Sequence, residues 1–239
     1  MRTGMRINKL LVDFSISSVR KLAITALIVA LIPMLMISFY NHPNADDYSY
    51  TYAGYVTWTN THNLFCVLRA ALGRIPEFYT TWQGSYTAAA LSSLAPSVFG
   101  EWGYLFCTPL IIGLLVFSVF YFCRKLFTLF SGTKEAADIA AAVICLIYTQ
   151  KPVHAIQAFY WWNGAVNYVP VFCMMVIVSV IMAEMAYGKT VSKRAIVAGA
   201  ILSFLASGGN PVVALVNAEL MIVMLVAMVA QTRQMCMGG

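Results

Sequence analysis

The chain has 239 residues, of which 61% are hydrophobic and only 10% charged, and its mean hydropathy is +0.77. Soluble domains carry roughly 25% charged residues, so this composition excludes an ordinary soluble fold and points to a multi-pass membrane protein. A net charge of +6 then belongs to basic cytoplasmic connections, and nucleic acid is not expected as a partner.

The first apolar run, 21–40, follows Arg2, Arg6, Lys9, Arg20 and Lys21. It is long for a signal peptide's apolar stretch and lacks a small-residue cleavage site, so it reads as a retained signal-anchor helix. Further runs at about 103–123, 136–150, 165–187, 195–208 and 211–231 bring the expectation to six transmembrane helices. Roughly 20 apolar residues cross a bilayer, and the third and fifth runs are short of that. The expected fold is all-α: one polytopic domain over 21–231, between a basic segment 1–20 and a tail 232–239.

Charge orients these spans. Arg124, Lys125 and Lys134 fall in one connection, Lys189, Lys193 and Arg194 in another, and Arg233 follows the last run. Every second connection is therefore basic, which places those connections and both termini in the cytoplasm. The expected location is the cytoplasmic (inner) membrane of a bacterium. Residues 41–102, 151–164 and 208–211 then face outward.

The outward segments hold the unusual chemistry. Asn44-Ala-Asp-Asp-Tyr-Ser-Tyr50 follows the turn-forming His42-Pro43. Among only nine acidic residues, the pair Asp46 and Asp47 is a candidate general base, or a holder of a divalent cation such as Mg or Mn. The plain alternative is a helix N-terminus beginning at Tyr48, where carboxylates are favourable. The rest of the 60-odd-residue loop is too long to be structureless. Pro76 and Glu77 suit a helix start, after which Phe78, Trp82, Tyr86 and Ala89 recur at helical spacing. That aromatic stripe suits an interfacial helix or packing on the bundle.

Farther along, Lys151 and His154 precede Phe159-Tyr160-Trp161-Trp162-Asn163-Gly164, and Asn167 and Tyr168 continue the polar run. Flat aromatic faces with an amide suit a sugar; an aromatic belt is the alternative. Lys151 is a cation available to a lipid phosphate. Ser207-Gly208-Gly209-Asn210-Pro211 reads as a tight turn whose Asn210 amide can face the outer side. Glu219 sits within the last span, where an ionisable residue is a functional candidate. Six cysteines lack a CxxC spacing and read as packing residues, with a Cys66–Cys107 disulfide left open.

This layout resembles the GT-C glycosyltransferases, in which an acidic residue of the first outer loop lies at the active site. More narrowly, Asn44–Tyr50, Phe78-Tyr-Thr-Thr-Trp-Gln-Gly-Ser-Tyr86, Phe99-Gly-Glu101, Phe159–Tyr168 and Ser207-Gly-Gly-Asn210 resemble an uncharacterised bacterial membrane-protein family. That family is similar to the O-antigen glucosyltransferase group. The resemblance implies a polyprenyl-phosphate sugar donor and a glycan or lipid acceptor in the bilayer. It implies Asp46 and Asp47 as catalytic or metal-binding residues. The substrate contacts expected in these motifs are Tyr48, Trp82, Gln83, Tyr86, Trp161, Trp162, Asn163, Asn167 and Asn210, joined by Lys151 on the strength of its charge alone. In two respects the chain departs from these relatives. They are longer, so this chain is expected to be truncated relative to them. They also carry Trp-x-Gly-Arg where Trp82-Gln83-Gly84-Ser85 stands here. The competing expectations are a transporter or flippase of lipid-linked sugars, and a non-catalytic fragment or assembly partner.

Overall fold

A computed structural model describes residues 15–81 and 84–237, with side chains to residue 230. Arg2, Arg6, Lys9, Trp82, Gln83, residues 238–239 and the side chains of the tail, Arg233 included, lie outside the described part. The described part is helical throughout, with no strand among its elements. The long helices are α1 (Ile16–Ser38), α6 (Cys107–Leu129), α7 (Lys134–Gln150), α8 (Trp162–Ala186), α9 (Lys193–Ser207) and α10 (Pro211–Met237). Between α1 and α6 lie α2 (Asp46–Thr61), α3 (Leu64–Leu72), α4 (Ile75–Thr81) and α5 (Tyr86–Ser93). Two 3-10 turns, Pro96–Phe99 and Glu101–Phe106, complete that loop, and a π turn, Ile156–Tyr160, precedes α8.

Six apolar runs thus become six helices, and the chain is an all-α polytopic membrane protein. Four described helices, α1, the 101–129 stretch, α8 and α10, are long and apolar enough to cross a bilayer. Helices α7 and α9 have 17 and 15 residues, about 25 and 22 Å at 1.5 Å per residue. That is short of a hydrocarbon core about 30 Å thick. Six full spans are therefore not reached by length.

Side-chain caps fix several starts that hydropathy placed late. Thr133 accepts from Ala136 N at 3.2 Å and Ser192 from Ala195 N at 3.2 Å. These bonds satisfy amides the helices leave free and pull α7 and α9 two residues upstream of the apolar runs.

Helix α8 is the hub, packing against α6, α9 and α10, while α7 sits between α1 and α6. Ala137, Ala141, Ala142 and Cys145 on α7 are fully buried; small residues allow the close backbone approach that membrane helices rely on. Cys66, Cys107, Cys123, Cys145 and Cys173 are free thiols. The Cys66–Cys107 disulfide left open by the sequence is thus not formed.

The ends of the bundle differ. Away from the loop, Asp138 is wholly buried with Arg124 Nε at 2.6 Å and Arg20 Nε at 2.8 Å; the Arg20 contact is an ion pair without hydrogen-bond alignment. Lys125 Nζ meets Glu184 Oε1 at 2.8 Å. Removing a buried partner strands its counter-charges, but both arginines are partly exposed (31% and 47%). Asp138→Ala should therefore cost about 1–2 kcal/mol, not the larger penalty of a dry site. Thermal unfolding in detergent would show it; an unchanged midpoint would mean the triad is ornamental.

Candidate functional site

At the loop end, Asn44-Ala45-Asp46-Asp47 forms a tight turn, closed by Asp47 N donating to Asn44 O at 3.0 Å. Ala45 holds φ 48°, ψ −117°, a backbone position that normally requires glycine. This strained corner sends the adjacent carboxylates in different directions.

Asp47 goes inward and is 1% exposed. Its Oδ2 accepts from Tyr104 Oη at 2.6 Å and from Asn44 N at 3.1 Å, and its Oδ1 from Asn163 N at 3.0 Å. Tyr104 Oη in turn accepts from Trp162 N at 2.8 Å. Two free amides at the start of α8 are thus capped by side chains from other elements. Helix α2 begins at Asp46, two residues earlier than expected, so both carboxylates lie in its first turn, and Asp47 in addition caps α8 across the fold. Burial pushes the Asp47 carboxyl above the usual range, outweighing the hydrogen bonds that favour its charged form.

Asp46 instead is exposed and lines a cavity of about 390 Å³. Trp161, Asn163 and Asn167 join it from the 159–168 run, and Asn210 from the α9–α10 turn. The segments that the charge pattern assigned to one face therefore meet in one place. A polar ladder links them: Ser92 Oγ donates to Asn163 Oδ1 at 2.6 Å, Asn167 Nδ2 to Asn163 O at 2.6 Å, and Asn210 Nδ2 to Asn167 O at 2.5 Å. Asn210 Oδ1 accepts from Val213 N at 3.0 Å, capping α10 ahead of Pro211. Among the described residues, the buried Trp161 Nε1 has no hydrogen-bond partner.

The cavity also holds residues that were not among the substrate contacts expected above. Tyr50 lines it and stacks on Phe78 at 4.2 Å between centroids. Its place one turn after Asp46 is the signal that pointed to it. Ser92 and Gln157 also line it, and nothing in their sequence surroundings marked them. Tyr104 was equally invisible, since its role rests on a partner 57 positions away.

Other expected contacts stand elsewhere. Trp162 is buried, with Nε1 donating to Leu91 O at 2.9 Å, and does not line the cavity. Tyr48 is 54% exposed and also outside it. Tyr86 braces α9, its hydroxyl donating to Phe204 O and its ring stacking on Phe204. The single helix expected through Phe78, Trp82 and Tyr86 is not formed. Helix α4 ends at Thr81, and Gly84 takes φ +66° before α5 begins. Glu219 is exposed on α10, whereas Asn217 is the buried polar residue there, donating to Ser203 Oγ at 2.9 Å.

The two glycines of the α9–α10 turn are required by packing. A Cβ on Gly208 would lie 2.2 Å from the Tyr86 ring, and one on Gly209 would lie 2.3 Å from Val171. The Gly208 carbonyl also accepts from Thr87 N at 2.8 Å. Gly208→Ala should therefore destabilise by about 1–3 kcal/mol, the usual range for overpacking. A thermal midpoint equal to wild type would contradict that packing.

The donor set does not fit a cation clamped by both carboxylates, because both Asp47 oxygens are already taken by protein donors. No group of three or more His, Cys, Asp or Glu is arranged for a metal among the described residues. Asp46 remains as a carboxylate without a partner among the described residues, beside amides and aromatic rings. Compared with protein-family models, curated proteins and solved structures, the chain matches none.

Proposed function

We propose that the protein is a membrane glycosyltransferase that moves a sugar from a polyprenyl-phosphate donor to a hydroxyl of a glycan or lipid acceptor. The observation that carries this reading is the cavity itself. It joins the Asp46 carboxylate, the aromatic residues Tyr50 and Trp161, and the amide side chains of Asn163 and Asn167, each of which has one polar atom already bonded within the protein. Sugars are recognised by such a combination of flat apolar faces and amide donors and acceptors.

In this reading the cavity opens on the outer side of a bacterial cytoplasmic membrane, with the N-terminus inside. The acceptor hydroxyl attacks the anomeric carbon of the donor, and Asp46 takes the hydroxyl proton. The bond from the anomeric carbon to the phosphate oxygen breaks, and the polyprenyl phosphate leaves as the anion. Asp47 holds the strained corner so that Asp46 faces the cavity. No step is routed through a cation.

The experiment is transfer of radiolabelled hexose from its polyprenyl phosphate to acceptor lipids, in proteoliposomes with and without EDTA. Labelled product, undiminished by EDTA, is expected. Donor that crosses the membrane without a new glycosidic bond would favour a transporter. Neither event, from correctly inserted protein, would leave an assembly partner as the better reading.

A further inference from the structure

The cavity that holds Asp46 has a neighbour with the opposite chemistry. A second cavity of about 580 Å³ contains Lys151 and His154, has an aliphatic wall including Ile147 and Val153, and shares Gln157 and Tyr168 with the first. The first has a carboxylate and no cationic side chain among its described lining residues. A phosphate placed there would face Asp46 with like charge. The second has cationic capacity but no carboxylate among its lining residues. Lys151 forms no ion pair among the described residues. It stands at the C-terminal end of α7, at the boundary where an apolar helix gives way to the loop end. A lysine also suits the negative end of a helix.

We infer that this second cavity seats the phosphate headgroup of a membrane amphiphile, with Lys151 and His154 on the phosphate and the Ile147–Val153 wall along its hydrocarbon chain. Gln157 and Tyr168, common to both cavities, mark the passage by which the rest of the headgroup reaches Asp46. That last part rests on the glycosyltransferase reading above; the phosphate seat does not. The source is a lipid and not a soluble anion, because aliphatic walls reward a hydrocarbon chain and give nothing to an inorganic ion.

The test uses purified protein in phosphatidylcholine nanodiscs and a prenyl phosphate bearing a diazirine, beside the matching prenyl alcohol. Cross-linked peptides are read by mass. The phosphate probe should label residues 147–158, and the alcohol should label them at least about tenfold less, a difference of about 1.4 kcal/mol. Lys151→Met should reduce labelling by a similar factor, and Lys151→Arg should restore it. Millimolar inorganic phosphate should not compete. Equal labelling by the alcohol, or unchanged labelling of Lys151→Met, would overturn the inference. Full competition by inorganic phosphate would overturn it in favour of a soluble-anion site. The same probe on Asp46→Asn separates the two readings. Labelling should be unchanged in that variant; wild-type protein that is labelled but transfers no sugar sinks only the enzyme, and wild-type protein that transfers sugar without labelling of this segment sinks only the seat.

Discussion

Asp47→Ala should be among the most damaging single substitutions in the described fold, lowering stability by about 3–5 kcal/mol. The side chain is 1% exposed and accepts from Tyr104, Asn44 and Asn163. Truncation leaves those donors buried and unpaired, at about 1–3 kcal/mol each before relaxation. Asn does not rescue it. An amide can accept from Asn163 N on its oxygen, but its NH₂ then faces the donor Asn44 N and leaves the Tyr104 hydroxyl without its acceptor. The pH dependence has a definite sign. Burial raises the folded carboxyl above its ordinary 3.8, so the folded state binds the proton more tightly than the unfolded chain. Its contribution is fully present below that ordinary value and declines as pH rises through the raised one. Thermal midpoints of wild type and variant, measured across that interval, should converge towards the alkaline side. Midpoints that diverge there would contradict the burial.

Asp46→Asn should behave in the opposite way, with the fold preserved and activity lost. Asp46 is exposed at the cavity, and among the described residues its side chain takes no hydrogen bond; the nearby Ser49 hydroxyl donates to its backbone carbonyl at 2.9 Å. Substitution with the isosteric amide therefore leaves the packing intact. Loss of a positioned base typically costs about 10²–10⁴-fold in rate, so transfer should fall by that factor while the thermal midpoint stays within error. A thermal loss comparable to Asp47→Ala would mean that Asp46 is structural, and that the division of labour drawn across Ala45 is wrong.

The architecture was largely legible because lipid imposes a simple rule: backbone groups must be satisfied within helices, and apolar length reveals them. The helices at 107–129, 162–186 and 211–237 lie close to the runs read from hydropathy. What the sequence missed lies where polar bonds override hydropathy. Thr133 and Ser192 start helices upstream of any apolar residue, and Gly84 breaks a helix that the spacing of Phe78 and Tyr86 would continue.

The meeting of the acidic corner, the 159–168 run and the Asn210 turn was also legible, since charge alternation put them on one face. Their division of labour was not. Asp46 and Asp47 are chemically identical neighbours, and only the φ of Ala45 and the distant Tyr104 separate cavity wall from buried cap. Trp161 and Trp162 divide similarly: the helix start between them turns one indole to the cavity and ties the other to Leu91.

The most direct test of the account is one paired measurement on Asp46→Asn: initial rate of hexose transfer from polyprenyl phosphate, with the thermal midpoint of the same preparation. The account predicts a wild-type midpoint and a rate reduced by about 10²–10⁴-fold. A wild-type rate at a wild-type midpoint would remove Asp46 from the chemistry and contradict the assignment of the cavity as a transferase site.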